Sequence, residues 1–433
     1  VIFNDGDTPA ISRTLSGDGN KKKFTISLWM KRCVGNYSDF ATLLVGGGTS
    51  GSSAGIFINS SQQLYIYLFG AAALVTTQTF EDQSRWYHIV VRVDTSDSTA
   101  DDRVRLYVDG TQITSFGTRN NPSQEAEETL LNVNAKNIDL GRHTTSTYYY
   151  DGYMAEVNFA DGQSYGPETF GVTDTSTGRW VPKTLSGITY GTNGFRLAFG
   201  SAAALGTDTS GNGNNFTPVN LSTTDQTTDN PNDNFMNFGG AYRSLGTQQT
   251  TEDGGLTIYA SSGSGYTACS AHKEIPQSGK WYWEVKLQAV GSVQGITNPS
   301  YGVIDRNIKE MNNFSTSSEF QNQLGGMGAT FYTGFRFTSL LGTSNELTIG
   351  SYAAATNDYV LFAFDMDNGK AWWGFKDGSS AVVWYAADGG SDGNPATGAN
   401  PTITFTPTDH RFVPAQGFYA PGSGYSARYH YNF

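Results

Sequence analysis

The sequence predicts an all-β protein, built as two tandem antiparallel β-sandwiches. Short runs of residues alternate between apolar and polar with a period of two, which is the pattern of a strand with one buried face. Glycine, asparagine and aspartate turns separate these runs, and helical periodicity is nearly absent. The chain has 433 residues, which is too many for one ordinary core, so we expect more than one domain.

The first half contains clear strand patterns. In residues 24–31 every second side chain is apolar, and residues 103–109 alternate in the same way. Asp109-Gly110 then predicts a hairpin turn. Residues 63–69 and 86–94 are apolar on both faces, which favours strands that a second sheet covers.

A change in composition places the domain boundary. Residues 207–215 are rich in turn formers, and residues 222–234 are almost wholly polar, so we expect their backbone to be accessible. We therefore predict a first domain over residues 1–203, a polar linker over 204–240 and a second domain over 241–433, in which strand patterns return.

Charge and composition exclude several classes of function. The net charge is −12, and Lys21–Lys23 is the one basic cluster, so we expect no nucleic-acid partner. No apolar run approaches the roughly 18 residues of a membrane span, so we expect no membrane insertion. Cys33 and Cys269 are too few for a disulfide framework or a four-cysteine zinc site.

Three motifs in the first half resemble laminin G-like, concanavalin A-like jelly rolls. They are Trp86–Val91, Arg105–Gly110, and Asp151–Val157, which resembles the last core strand of that family. The resemblance covers about residues 1–200 and implies a jelly-roll fold. Because such domains often bind Ca²⁺ at one rim through aspartate and carbonyl oxygens, it also implies calcium as a candidate cofactor.

The second half resembles a SPRY domain over about residues 250–433. The matching segments follow the chain order of that family: Gly279–Val285, Tyr301–Val303, Val360–Asp367, Ala371–Gly378, Phe412–Ala415 and Tyr429–Phe433. The resemblance implies a second β-sandwich. Its ligand surface would come from the loops around Asp305–Glu319 and Gln323–Tyr332.

The segment between the two halves is similar to virion proteins of tailed bacteriophages, in which a laminin G-like module precedes a SPRY-like one. The similar stretches are Asp161–Gln163, Phe170–Gly171, Trp180–Lys183, Tyr190–Phe195 and Asp208–Asn214. This resemblance implies a structural protein on the virion surface, present in many copies and in contact with other capsid or tail proteins. A homo-oligomer is compatible with that role.

Two sets of side chains are candidate site residues. Tyr148, Tyr149 and Tyr150 are consecutive, so they cannot all face one core, and exposed tyrosines stack well on sugars. A partly covered strand edge is the alternative interpretation. Asp109, Asp151 and Asp161 lie at predicted strand ends and are the candidate calcium ligands, although turn chemistry alone also favours aspartate there.

These observations predict a non-enzymatic head-decoration, fibre or tail-associated protein that binds host-surface glycan or another surface ligand. The alternative is an assembly or cement protein whose SPRY-like domain binds other virion proteins and no external ligand. Retaining glucanases share the jelly-roll fold and need two carboxylates about 5 Å apart. The candidates, Glu125–Glu128 and Asp365–Asp367, lie in a predicted loop and in a predicted SPRY hairpin, so we expect no catalysis.

Overall fold

The computed structural model confirms the all-β fold class. It describes residues 1–432 except 34–35, 48–52, 144–147, 228, 235, 239–248, 253–254, 261–262, 272, 291–296, 306–325, 332–334, 339–346, 350–354, 379 and 423–426. Within the described residues, the helical elements are 3₁₀ turns of three residues: Asp5–Asp7, Ala100–Asp102, Pro167–Thr169, Ala202–Ala204, Thr223–Asp225 and Pro407–Asp409. No helix in this part of the chain is long and apolar enough to cross a bilayer.

The chain forms two compact units, Val1–Phe235 and Met236–Phe433. In the first unit, one sheet has seven antiparallel strands and is called sheet A. Its strands in spatial order are Ile2–Phe3, Gly152–Asp161, Lys23–Arg32, Tyr87–Asp94, Val104–Val108 and Thr111–Gln112, and Phe195–Leu197 also pairs with Gly152–Asp161.

The other sheet of the first unit has eight antiparallel strands and is called sheet B. Its strands in spatial order are Phe116–Arg119, Ala71–Thr79, Gln63–Leu68, Ser53–Ile58, Ala41–Gly47, Asn137–Leu140, Ala10–Thr14 and Thr217–Val219. The two sheets share one core, to which Ile26 and Leu28 of sheet A and Ile56 and Ile66 of sheet B contribute fully buried side chains. The alternating pattern of residues 24–31 therefore predicts the core face correctly, but the prediction of one buried face is wrong, because the opposite face of this strand is buried as well.

The outer face of sheet A is covered by a two-stranded ribbon, not by a second sheet. The ribbon pairs Gly171–Thr173 with Trp180–Pro182. The indole Nε1 of Trp180 donates to Nδ1 of His88 over 2.9 Å, and the His88 ring also stacks on Trp29. This cover explains why residues 86–94 are apolar on both faces.

The structure differs from the predicted layout between residues 204 and 235. Phe216 is buried in the core of the first unit, and Thr217–Val219 pairs with Ala10–Thr14 at the edge of sheet B. Asp229 is also buried, against sheet A. Residues 204–235 are therefore part of the first unit, and the predicted linker is wrong over this range. The physical reason is that this segment buries Leu205 and Phe216 in the core and pairs Asp229 with polar groups of the sandwich, although residues 222–234 are themselves almost wholly polar.

The second unit also contains two antiparallel sheets. The first, sheet C, has the strands Gln249–Glu252, Thr257–Ala260, Ala427–Asn432, Lys280–Val290, Tyr359–Asp365, Lys370–Lys376 and Val383–Trp384 in spatial order, and Ile403–Thr404 also pairs with Lys370–Lys376. The second, sheet D, has the strands Gly263–Ser270, Phe412–Gly422, Thr297–Asp305, Gly326–Phe331, Phe335–Thr338 and Leu347–Ile349.

The core of the second unit is aromatic. Trp283, Phe362 and Trp373 lie on neighbouring strands of sheet C and are each 1% exposed or less. Trp283 stacks on Phe362 with ring centroids 5.1 Å apart, and Phe362 meets Trp373 edge-on at 5.2 Å.

Candidate functional site

A cluster of aromatic side chains lies on sheet B and at its margin, outside the core shared by the two sheets. We call it the aromatic surface. Its members come from four separate segments of the chain: Phe40, Phe57, Tyr65, Tyr67, His143 and Tyr148. A set of rings outside the shared core is unusual for a face that water solvates, and we therefore take it as the candidate site.

Strand alternation places these rings. Along Gln63–Leu68, the side chains of Leu64 and Ile66 are fully buried in the core, while Tyr65 and Tyr67 point the other way and are partly exposed. On the next strand Phe57 is paired with Tyr65, so the two rings lie on the same face. The pleat thus collects aromatic residues that are distant in sequence.

The rings form a continuous network. Phe40 is at its centre, with ring-centroid distances of 5.0 Å to Tyr65, 5.5 Å to Tyr148 and 6.1 Å to Phe57. Tyr65 and Tyr67 are nearly parallel, with an interplanar angle of 8° and centroids 6.3 Å apart. Each of these separations lies within the usual range for interacting aromatic pairs, so the rings hold one another in place.

The environment of the aromatic surface favours the uncharged forms of Tyr65 and His143. Burial raises the pKa of Tyr65, and the neighbouring Tyr67 raises it further. Burial lowers the pKa of His143, against the opposing effect of the Asp139 carboxylate. The hydroxyl of Tyr67 donates to the carbonyl oxygen of Gly70 over 2.8 Å, which fixes the ring. The surface therefore presents apolar ring faces next to hydroxyl groups.

The three consecutive tyrosines have different environments. Tyr148 belongs to the aromatic surface, and its ring centroid lies 6.0 Å from that of His143. Tyr149 is partly exposed, and its backbone forms an isolated antiparallel β-bridge with Arg142. Tyr150 is fully buried, and its hydroxyl donates to the carbonyl oxygen of Lys31 over 2.8 Å. The prediction of Tyr150 as a ligand residue is therefore wrong, because its ring fills the core.

Asp109 and Asp161 have structural partners. Asp109 follows its strand with φ of 49°, accepts a hydrogen bond from the backbone N–H of His88 over 2.8 Å, and pairs with Arg85. One oxygen of Asp161 accepts from the N–H of Asn20 and the side-chain amide of Asn132, both over 2.7 Å, and the other accepts from the N–H of Asn193 over 3.1 Å. These contacts are those of turn and loop anchors.

The third candidate, Asp151, is also buried, with 8% of its surface exposed. Burial raises the pKa of Asp151 to about 8, and the nearby Asp5 contributes to this shift. Among the residues that the structure describes, no three histidine, cysteine, aspartate or glutamate side chains are grouped so that they could hold a metal ion. The three aspartates are thus not brought together, and calcium binding stays a prediction.

The remaining candidate carboxylates also have structural roles. Glu125 and Glu127 pair with lysines at the sheet end, and Glu128 is buried and accepts from the N–H groups of Phe69, Thr129 and Leu130. Asp365 accepts from the N–H of Asn368, and Asp367 from that of Gly279. Of the predicted SPRY loops, residues 306–325 and 332 lie outside the described residues, whereas Gly326–Phe331 forms a strand.

Sequence reasoning missed most of the aromatic surface. Of its six members, Tyr148 alone was a candidate, because the three adjacent tyrosines are conspicuous in the sequence. A signal for two of the others is in residues 63–69, where Tyr65 and Tyr67 take the positions opposite Leu64 and Ile66. Tyrosine at outward positions is compatible with a covered strand but also with a ligand platform.

Comparison with known proteins agrees with the fold of the first unit. Residues 5–163 match the laminin G-like family described as the concanavalin A-like lectin/glucanases superfamily, and a search of curated proteins found no match. Among solved structures, the SPRY domain of human HERC1 is 16% identical, with coverage of 42% of this chain and 91% of that chain and a TM-score of 0.26.

Two further solved structures have similarly low sequence identities and TM-scores. A Bacteroides ovatus protein described as carbohydrate-binding is 16% identical, with coverage of 42% of this chain and 59% of that chain and a TM-score of 0.27. A Trypanosoma rangeli sialidase mutant is 16% identical, with coverage of 34% of this chain and 22% of that chain and a TM-score of 0.24. Residues 5–163 are similar to the concanavalin A-like lectin/glucanases superfamily, within a chain that is all-β throughout its described residues.

Proposed function

We propose that the first unit binds carbohydrate, without catalysis, through the aromatic surface of sheet B. The observation that carries this proposal is the network of partly exposed rings around Phe40, in which Tyr65, Tyr67 and Tyr148 keep hydroxyl groups beside apolar ring faces. Sugars combine apolar C–H faces with hydroxyls, so they match such a surface on both counts.

Two further features support this proposal. The family that matches residues 5–163 takes its name from lectins as well as glucanases. The candidate carboxylates of the described residues are held by lysines, backbone amides or Asn368, and these contacts favour a structural use over that of a paired acid and nucleophile. A hydrolytic site would need two carboxyl groups that face one sugar.

We place this function on the surface of a bacteriophage particle. The resemblance of residues 161–214 to virion proteins supports that location, and a host-surface glycan is the corresponding ligand. A shallow site of this kind binds each sugar weakly. Display in many copies raises the overall affinity by about 10²–10⁴-fold without any new contact.

A glycan array tests the proposal. The full chain is presented as a monomer and, in parallel, biotinylated on tetrameric streptavidin. We expect little binding by the monomer and clear binding by the tetramer to a restricted set of glycans. A tetramer that binds no glycan and no bacterial surface would contradict the proposal and favour the alternative, in which the protein only joins other virion proteins.

A further inference from the structure

The second unit contains a cleft on the outer face of sheet C. Its volume is about 240 Å³, and its lining includes Lys280, Tyr282, Ala363, Trp372, Trp384 and Pro395. Pockets for drug-sized ligands usually measure roughly 300–1,000 Å³. This cleft is smaller, so it suits a single ring and not an extended molecule.

The sheet register explains how the cleft forms. Tyr282, Ala363 and Trp372 are consecutive partners across three neighbouring strands, so their side chains lie in one row on the outer face. The small side chain of Ala363 forms the floor between two aromatic residues. Tyr282 is half exposed, at 50%, and its ring lies 6.3 Å from that of Trp384 in an edge-on arrangement.

The ring of Trp384 is held in place by packing. It lies over Gly374, where an added Cβ atom would come within 2.8 Å of the indole. Trp372 is 1% exposed, and its indole N–H donates to the carbonyl oxygen of Ala399 over 2.8 Å. The aromatic walls are therefore rigid, and a ligand would not have to order them.

The charged groups that line the cleft are one cation, Lys280, and one anion, Asp365. The Lys280 Nζ atom lies 3.9 Å from Oδ2 of Asp365, which is beyond hydrogen-bonding distance, and the Lys280 side chain is 64% exposed. The Asp365 side chain is 6% exposed, and its Oδ2 already accepts from Nδ2 of Asn368 over 2.9 Å, which leaves one lone pair of that oxygen for a ligand. A hydroxyl group between them would accept from the ammonium group and donate to the carboxylate. The two charges are opposite, so the cleft favours a neutral ligand.

Internal hydrogen bonds occupy two of the aromatic donors at the cleft, and this disfavours a peptide. Peptide-binding aromatic grooves need free donors for the carbonyl oxygens of an extended chain. Here the Tyr282 hydroxyl donates to the Glu284 carboxylate over 2.8 Å, and the Trp372 indole donates to Ala399. Since a sugar hydroxyl brings its own donor, it can use the oxygen of Tyr282 as an acceptor.

We propose that this cleft binds one neutral hexopyranose ring. The apolar face of the ring packs on Tyr282 and Trp384 above Ala363, and one hydroxyl bridges Lys280 and Asp365. This site belongs to the second unit and is independent of the aromatic surface of the first.

The test uses saturation-transfer NMR and tryptophan fluorescence on the full chain that carries Tyr65→Ala and Tyr67→Ala, so that two of the three hydroxyl-bearing rings of the aromatic surface are removed. The probes are the methyl glycosides of glucose, mannose and galactose, with an oligoproline peptide as the competing ligand class. We expect saturation transfer to at least one glycoside, with the strongest transfer at ring C–H protons, and none to oligoproline.

Further variants in the same background locate the site. Ala363→Leu fills the floor and is expected to abolish the saturation transfer. Tyr282→Ala removes an exposed wall and serves as the second variant should Ala363→Leu fail to fold. Val382→Ala, at a residue that is 41% exposed and outside the cleft lining, is the matched control and keeps the signal. The proposal would be overturned if no glycoside received saturation transfer, or if oligoproline bound instead. It would also be overturned if Ala363→Leu and Tyr282→Ala each gave the same saturation transfer as the Tyr65→Ala/Tyr67→Ala background.

Discussion

Lys31 and Asp229 form a buried ion pair in the first unit, with Nζ and Oδ2 2.7 Å apart and side chains 0% and 2% exposed. Lys31 lies on the outer face of sheet A, and Asp229 lies in the polar stretch 222–234. The other oxygen of Asp229 accepts from Nε1 of Trp86 over 2.9 Å, and Lys31 also donates to the side-chain oxygen of Asn234 over 2.8 Å. This network anchors the polar segment to the sandwich.

The ion pair predicts a large cost for removing one partner. Asp229→Asn leaves the Lys31 charge buried without its counter-ion, and we expect a loss of about 3–5 kcal/mol in the free energy of unfolding. Hydrogen exchange followed by mass spectrometry should show faster exchange across residues 222–234. The double variant Lys31→Met/Asp229→Leu removes both charges and should lose much less. Rapid proteolysis of the native chain within residues 222–234 would contradict the anchoring role.

The adjacent tyrosines predict a contrast in stability. Tyr150→Ala removes a fully buried ring, and we expect a loss of about 3–5 kcal/mol in a denaturant titration. Tyr148→Ala removes a partly exposed ring and should cost under about 1 kcal/mol. Tyr150→Phe separates packing from the hydrogen bond to Lys31 and should cost about 1 kcal/mol. Equal losses for the two alanine variants would argue against the assignment of Tyr150 to the core.

Asp151 predicts a pH dependence of stability. Its pKa is raised to about 8 in the folded protein, so the folded state binds a proton that the unfolded state releases near pH 4. Its contribution to stability is therefore fully present below about pH 4 and is lost as the pH rises through 8. We expect Asp151→Asn to reduce the fall in melting temperature between pH 5 and pH 8. An unchanged slope would show that Asp151 is ionised in the folded protein.

Asp161 predicts the outcome of a calcium titration. Its two oxygens already accept three hydrogen bonds, from Asn20, Asn132 and Asn193. Because these bonds satisfy the carboxylate, Asp161→Ala should lower the melting temperature by the same amount in millimolar Ca²⁺ and in EDTA. A loss seen with Ca²⁺ only, together with a rise in the melting temperature of the native chain on calcium addition, would assign Asp161 as a calcium ligand.

The fold class follows from patterns that the sequence displays directly. The alternation in residues 24–31 matches the buried face of a strand in sheet A, and Asp109-Gly110 adopts the positive φ values that the predicted turn requires. A strand with two apolar faces does not reveal from its sequence what covers the second face. Residues 86–94 are covered by a ribbon, through Trp180 and His88, and periodicity cannot distinguish that cover from a second sheet.

The aromatic surface could be predicted only in part. The sequence indicates Tyr148 as a candidate because three tyrosines are adjacent there. Phe40, Phe57 and Tyr65 come into contact only through strand pairing, which single-sequence patterns do not specify. The same limit applies to Lys31 and Asp229. Each looks like an ordinary solvated charge in the sequence, and their pairing depends on how residues 222–234 return to sheet A.

Carbohydrate binding by the aromatic surface is tested most directly by one comparison on the tetramer-displayed chain. The variant Tyr65→Ala/Tyr67→Ala is compared with Tyr107→Ala, which removes a partly exposed tyrosine from sheet A instead of sheet B. We predict that the double variant loses binding to the glycans that the native chain recognises, with its melting temperature little changed, while Tyr107→Ala binds like the native chain. Unchanged glycan binding by a folded Tyr65→Ala/Tyr67→Ala variant would contradict the assignment of the site.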